Sequence, residues 1–499
     1  MNSFVNWFVV KILPDLNYNA IVCREWKTEK EPDWVYPEIL KNENYGIWFE
    51  VEKTQGGEER KFSCLSINPD FTVTRNSDTK EILLHFPEKN FSERFFCENY
   101  FSYLSQIENW IQEIQTKIVI ENLSLQNFPF LGGFYGYFGY GLKNEIEFFK
   151  KKIPVSQFSD SVLCFFPEVL IFLHSEKKYY FVSMKENSNS DFYKKIQKIF
   201  SDRYTFPERK KDFSLTEKTF EELISDYNLS LDQNSYSIAF QKIHESIFSG
   251  KIYQACLTAK FEKKYFGNPL EDFFNLKQKS KTPYTSYVCI GDLHILSFSV
   301  EKFLSIQESQ IISRPVKGTA IRKSIAEDDN LKKKLITSEK EKSENCIIVD
   351  LIRNDIGRVS KTGSVKVNKL LEIETHPSVY QLVSEVVSEK KKNCSFSEIL
   401  KALFPGGSMT GAPKIEVMNL IEEIETCPRG IYSGAIGFWD IRGEVDLNMV
   451  IRTAFIYKDK LSFHSGGGIV AESILQNEWE ELVGKSEFFM KYFSRKELI

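Results

Sequence analysis

The chain has 499 residues, 42% of them apolar and 27% charged, with a formal net charge of −4. That length can bury a large core, as one big domain or two to three ordinary ones, and the near-balanced charge leaves no electrostatic footprint for nucleic acid. The nine cysteines are scattered and never form a C-x-x-C pair, so neither a disulfide framework nor a zinc site is indicated, and a reducing cytoplasmic setting is expected.

The early apolar run Phe4 to Val10 is interrupted by Lys11, Pro14 and Asp15, and Val162 to Leu173 is broken by Pro167 and Glu168. Neither a cleavable leader nor a membrane span is expected. A first portion, residues 1–184, mixes strand-like runs (Ile47 to Val51, Lys61 to Ile67, Ile82 to Phe86) with a helix predicted near Glu93 to Ile118. From Leu131 to Gly141 aromatics alternate with glycines, which suits a strand with another backbone packed closely against it. Residues 185–231 are rich in Asn, Ser, Lys and Asp and read as a polar linker. Beyond it, residues 232–497 open with a helix from Ser235 to Phe248, closed by Gly250.

The strand that follows, Ile252 to Phe261, puts Tyr253, Ala255, Leu257, Ala259 and Phe261 on one face and Gln254, Cys256 and Thr258 on the other. One face is core, and the other can line a ligand site. Ile311 and Ile312 suggest a strand that ends near Pro315, with Lys317 at its exit and Gly318 after it. Lys317 is open to two readings there, a solvated loop lysine or a functional amine. Apparent hairpins at Tyr287 to Phe298, at Tyr432 to Trp439 with Val445 to Ile456, and at Lys460 to His464 favour antiparallel sheets covered by helices, an α+β fold.

Two helices carry carboxylates at the head of a buried stripe. Glu341, Glu344, Ile348, Leu351 and Asp355 recur at helical spacing, as do Glu478, Glu481, Lys485, Phe488 and Tyr492. Four carboxylates brought together would suit magnesium, a hard cation that prefers oxygen ligands; the same spacing fits ordinary charged helices, with Glu481 and Lys485 as an i,i+4 pair. Between them lie three weak signals for an anionic ligand: Ser465-Gly466-Gly467-Gly468 after a strand, Arg452, and the turn Phe404 to Lys414 with Thr410 before a helix.

Taken together, RPVKGT, SENCIIVDLIRNDIGRV, FPGGSMTGAPK, YSGAIGF, IRTA, SGGGIVAES and NEWEELVGK resemble the chorismate-utilising enzymes, the anthranilate, aminodeoxychorismate, isochorismate and salicylate synthases. The similarity covers about Ser235 to Phe493, with weaker matches at Gly132 to Tyr140. It implies an anthranilate synthase component I-like fold, two packed, mostly antiparallel sheets with helices outside, and a magnesium-dependent chorismate site. Relatives that add water carry lysine where this chain has Gln254, whereas ammonia users carry glutamine. Aminodeoxychorismate synthases commonly have lysine at the position of Lys317, where anthranilate synthases usually have alanine. The resemblance is therefore to component I of aminodeoxychorismate synthase, with anthranilate synthase component I and a non-catalytic chorismate-binding subunit as alternatives.

By the same resemblance, Glu344 and Glu481 hold magnesium, supported by Glu341 and Glu478. Glu301 is the acid for the departing hydroxyl, Lys317 the nucleophile with a lowered pKa, and Gln254 and Thr410 complete the catalytic set. Arg452, Tyr432, Gly466, Gly467, Gly468 and Lys485 bind substrate. None of the cysteines sits in a Gly-x-Cys-x-Gly elbow, and the chain stops soon after the Lys485 helix, so a separate glutamine amidotransferase subunit is the implied ammonia source. Departures from the family pattern are Val300 and Lys302 flanking Glu301, Cys256 in place of asparagine, Gln381 in place of histidine, and Thr282 before Pro283.

Overall fold

The computed structural model describes residues 18, 20–55, 58–120, 128–149, 153–185, 190–201, 204–206, 216, 218–280, 282–321, 325–375 and 379–494. The Phe4 to Val10 run and parts of the 185–231 stretch lie outside the described residues. In chain order, the elements that frame the site are β1 (Tyr45–Gln55), α1 (Tyr100–Lys117), β2 (Gly133–Phe138), α2 (Gln233–Phe248), β3 (Gln254–Lys264), β4 (Tyr284–Ile290), β5 (Leu293–Ser299), β6 (Lys302–Gln307), β7 (Gln310–Arg314), β8 (Val316–Ile321), α3 (Glu339–Gly357), β9 (Val379–Glu389), α4 (Lys414–Ile424), β10 (Ala435–Asp440), β11 (Val445–Met449), β12 (Thr453–Tyr457), β13 (Lys460–Ile469) and α5 (Leu475–Phe493).

Two large sheets organise these elements. Among the described residues one has 13 strands and runs β3-β13-β12-β5-β4-β1 before continuing through Glu58–Ile67, Glu168–Leu173 and Lys178–Ser183. The other has 12 and runs β8-β9-β7-β6-β11-β10-β2, then Ser161–Phe166, Phe71–Asn76 and Glu81–Phe86. Their pairings are antiparallel apart from Ala20–Lys27 with Val119–Ile120. Both sheets thus draw strands from either side of residue 184. One buried cluster fills the space between them, from Phe49 and Tyr135 to Ile348 and Leu447. A second packs the outer face of the first sheet against helices, with Tyr236 and Ile243 of α2 and Leu482 and Met490 of α5. No helix among the described residues is long and apolar enough to cross a membrane.

Several elements differ from the sequence reading. The helix expected from about Glu93 begins at Tyr100, where the Asn99 side chain accepts the Ser102 N–H. Phe91–Phe96 pairs instead with Glu81–Phe86 as an edge strand, its alternation satisfying a period of two better than a helical stripe. The stretch 185–231 carries helices Asp191–Phe200 and Phe220–Ser225, and Phe192, Ile196 and Leu223 bury against the outer cluster. Tyr253 precedes β3 and is 64% exposed, so the core face begins at Ala255. The run Val445 to Ile456 is two strands in different sheets, β11 and β12. At the crossing, Arg452 adopts the left-handed conformation, φ +49°, uncommon for a residue with a side chain.

The glycine–aromatic alternation forms β2 as expected. Gly136 faces Gly437 of β10 across the ladder, and a methyl group on Gly136 would lie 1.9 Å from the Val162 carbonyl oxygen. We predict that Gly136→Ala lowers the unfolding free energy by about 3 kcal/mol. A chemical-denaturation midpoint equal to wild type would show that the strand contact is not so close.

Candidate functional site

Helix α3 starts at Ser338, whose side chain accepts the Glu341 N–H. Its buried stripe runs through Glu344, Asn345, Ile348, Val349 and Ile352. Ser384 Oγ of β9 donates to Asn345 Oδ1 at 2.5 Å, which fixes the helix on the second sheet. At its far end Asp355 takes Lys414 Nζ at 2.5 Å and Arg358 at 2.9 Å. Asp355 is therefore a structural tie to the Phe404–Lys414 turn, while Glu341 and Glu344 sit at the helix head. Helix α5 is held on β13 by Ser465 Oγ donating to the Leu482 carbonyl at 2.6 Å.

These placements bring the carboxylates of both helices to one space. Lys340 Nζ lies 2.6 Å from Glu478 Oε1, 3.0 Å from Glu481 Oε2 and 3.6 Å from Glu344 Oε1. Lys485 pairs with Glu481 Oε1 at 2.6 Å and donates to the Gly466 carbonyl at 3.1 Å. Burial opposes the charge on Glu481, yet Lys485 and Lys340 outweigh it and hold its carboxyl at about 2. Burial raises Glu478 and, together with Glu344 and Glu481, raises Glu341. Such crowding of like charges is costly without a cation.

Gly466 to Gly468 do not form a loop after a strand. They lie within β13, paired with Thr258, Leu257 and Cys256 of β3. The β12 ladder ends at Phe463, so the other edge of the glycines faces no described strand. A methyl group on Gly468 would lie 2.5 Å from Glu344 Oε2 and 2.7 Å from Gln254 Nε2, and one on Gly467 would lie 3.2 Å from Glu481 Oε1 and 3.3 Å from Glu478 Oε2. The glycines keep open a cradle that side chains would fill. Gln254 is fully buried, and neither of its amide atoms has a hydrogen-bond partner among the described residues, an arrangement that calls for a further occupant.

The all-oxygen donor set fits magnesium chemically. As they stand, no three acidic, histidine or cysteine side chains among the described residues are arranged to grip a metal; Lys340 Nζ stands among Glu344, Glu478 and Glu481 instead.

Lys317 is in strand β8 rather than at a strand exit; Gly318, with φ +77°, shifts the register beside it. Its Nζ lies 3.3 Å from Glu344 Oε2 and 3.5 Å from the Ser408 carbonyl. The expected lowering of its pKa is not what these surroundings produce. Burial pulls it down, but Glu344 beside it, with Glu301 also near, holds it above the usual lysine value. The Ser408 hydroxyl donates to Glu301, and burial pushes Glu301 up to about 7 against Ser408, Lys317 and Lys485. Ser408 thus joins an acid and an amine.

Thr410 is fully buried; its hydroxyl donates to the Gly406 carbonyl at 3.1 Å and its carbonyl takes the Cys256 N–H at 2.8 Å. It shapes the turn and sets it against β3. Tyr432 stacks on His464 with centroids 4.8 Å apart. Arg452 is half-buried, and burial lowers its pKa from the usual value; its carbonyl accepts the Phe298 N–H at 3.0 Å, while its guanidinium has no hydrogen bond or ion pair among the described residues, which leaves the fork free for an anion.

Lys340, Ser408 and Arg429 were not anticipated. Arg429 donates to the Met409 carbonyl at 2.6 Å and the Cys256 carbonyl at 2.8 Å, and is held by Glu425 through bonds of 2.9 and 2.7 Å. It fastens the turn to β3. Its pair with Glu425 is a local i,i+4 contact, but the two carbonyls that it fastens belong to residues distant in sequence and leave no local pattern.

Residues 61–491 match the family described as chorismate binding enzyme. The chain is 33% identical over 369 residues to anthranilate synthase component 1 of Aquifex aeolicus, covering 72% of this chain and 74% of that protein. It is 32% identical over 391 residues to aminodeoxychorismate synthase component 1 of Escherichia coli, covering 77% and 82%. The crystal structure of anthranilate synthase component I from Streptococcus pneumoniae superimposes with a TM-score of 0.69 at 27% identity, over 86% of this chain and 92% of that one. The chain belongs to the chorismate-binding enzymes, and the two-sheet fold is theirs.

Gly468→Ala should therefore lower turnover of chorismate roughly 10²-fold, since displacement of a reacting group by about 1 Å has that cost. Steady-state kinetics with an unchanged melting temperature would support the cradle, and wild-type turnover would remove it.

Proposed function

We propose that this chorismate-binding enzyme is component I of an aminodeoxychorismate synthase, replacing the ring hydroxyl of chorismate with ammonia to give 4-amino-4-deoxychorismate on the route to p-aminobenzoate and folate. The observation that carries the reading is the Lys317–Ser408–Glu301 arrangement, an amine and a protonatable acid joined through one residue. Gln254 supports ammonia rather than water as the nucleophile, by the family pattern. The relatives carry both names, so anthranilate synthase component I is the second reading; Lys317, where those enzymes usually have alanine, weighs against it.

Chorismate would place its carboxylates toward Arg452 and the open edge of Gly466 to Gly468. Glu344 and Glu481, with Glu341 and Glu478 in support, would hold magnesium, which would supply polarisation of the ring carboxylate and electron withdrawal from the diene. Glu301, protonated, gives its proton to the departing hydroxyl, which leaves as water. Lys317 Nζ, once neutral, attacks the conjugated ring and forms a C–N bond as the C–O bond breaks. Ammonia then bonds to the carbon that lost the hydroxyl, and the bond to Lys317 breaks. We take the ammonia to come from a glutamine amidotransferase subunit in the cytoplasm.

An acid near 7 sets the pH dependence. Glu301 carries its proton below that value and loses it above, so kcat/KM should fall as pH rises through about 7. Glu301→Gln should lower kcat about 10²–10⁴-fold and remove that limb from the profile. Lys317→Ala should cut ammonia-dependent chorismate consumption on the order of 10³-fold; turnover near wild type would remove Lys317 as the nucleophile and with it the main support for the reading.

A further inference from the structure

Lys340 has a position that the proposed chemistry does not use. Its ammonium stands among three carboxylates from two helices, at 2.6 Å from Glu478, 3.0 Å from Glu481 and 3.6 Å from Glu344. Glu478 is only 1% exposed, so a charge there needs a cation close by. Lys340 reaches the cluster on a long flexible stem from the first turn of α3, and its side chain is 24% exposed, which leaves it a path to solvent. Gln254, buried and with an unpaired amide, borders the same space next to Glu344. Lys317 and Lys485 approach the same carboxylates from the rim, at 3.3 Å from Glu344 and 2.6 Å from Glu481, whereas Lys340 stands between all three, beside an amide that has no hydrogen-bond partner among the described residues.

We infer that Lys340 is a built-in counter-cation, which with Lys317 on Glu344 and Lys485 on Glu481 balances the carboxylates of Glu344, Glu478 and Glu481 in the metal-free enzyme and swings out to solvent when a divalent cation enters. This rests on the magnesium assignment above. Metal binding is then an exchange of one cation for another, and the intrinsic affinity of the carboxylates is weakened by the ion pairs that must first be broken. In exchange, α3 and α5 stay docked when no metal is present.

The test is calorimetric titration of magnesium into the substrate-free protein, using wild type, Lys340→Met and Lys340→Arg. Removing the competing charge should make Lys340→Met bind magnesium about tenfold more tightly than wild type. Its melting temperature without metal should be lower than wild type, and the gap should close at saturating magnesium. Lys340→Arg, whose fork grips carboxylates in pairs, should bind magnesium more weakly than wild type. If wild type binds magnesium and Lys340→Met binds no more tightly, or Lys340→Arg binds more tightly, the exchange is wrong while the metal site stands. If none of the three binds magnesium, both fail.

Discussion

The site depends on like charges forced together. Glu344 on α3 and Glu478 and Glu481 on α5 are brought to one space by helices that dock on different sheets, and Lys340, Lys317 and Lys485 neutralise them. Leaving one such buried charge without its partner costs about 3–5 kcal/mol, so the lysines at these carboxylates help to hold the two helix heads together. The rest of the architecture fixes this geometry. Asn345 and Asp355 tie α3 to β9 and to the Phe404–Lys414 turn, Ser465 ties α5 to β13, and Gly467 and Gly468 keep side chains out of the gap.

Much of this was legible because it is local. A period near 3.6 placed Glu341, Glu344 and Ile348 on one stripe of α3 and Glu478, Glu481 and Lys485 on one stripe of α5, and a period of two separated Gln254, Cys256 and Thr258 from the core face of β3. What failed was also local. The strand does end at Arg314, just before Pro315, but the Pro315 carbonyl accepts the Ser384 N–H and pairing with β9 resumes at Val316, so Lys317 lies in β8 rather than at a strand exit. Glycines 466 to 468 suggested a loop, yet small residues are tolerated in a strand where carboxylates approach its face.

Other features could not be read from spacing at all. Lys340 looks like an ordinary i,i+4 partner of Glu344, while its nearer contact with Glu481 spans 141 residues. Arg429 binds two backbone carbonyls, of Met409 and Cys256, that carry no sequence signature. The raised charge state of Lys317 follows from Glu344 at 3.3 Å, a tertiary contact. Lysine identity at that position pointed to the chemistry, whereas its electrostatic control appears only in the folded chain.

The most direct test of the account is the product formed by the purified protein with chorismate, magnesium and ammonium, with and without added aminodeoxychorismate lyase. The account predicts p-aminobenzoate only when the lyase is present. Fluorescent anthranilate formed without the lyase would contradict it and make the chain an anthranilate synthase component.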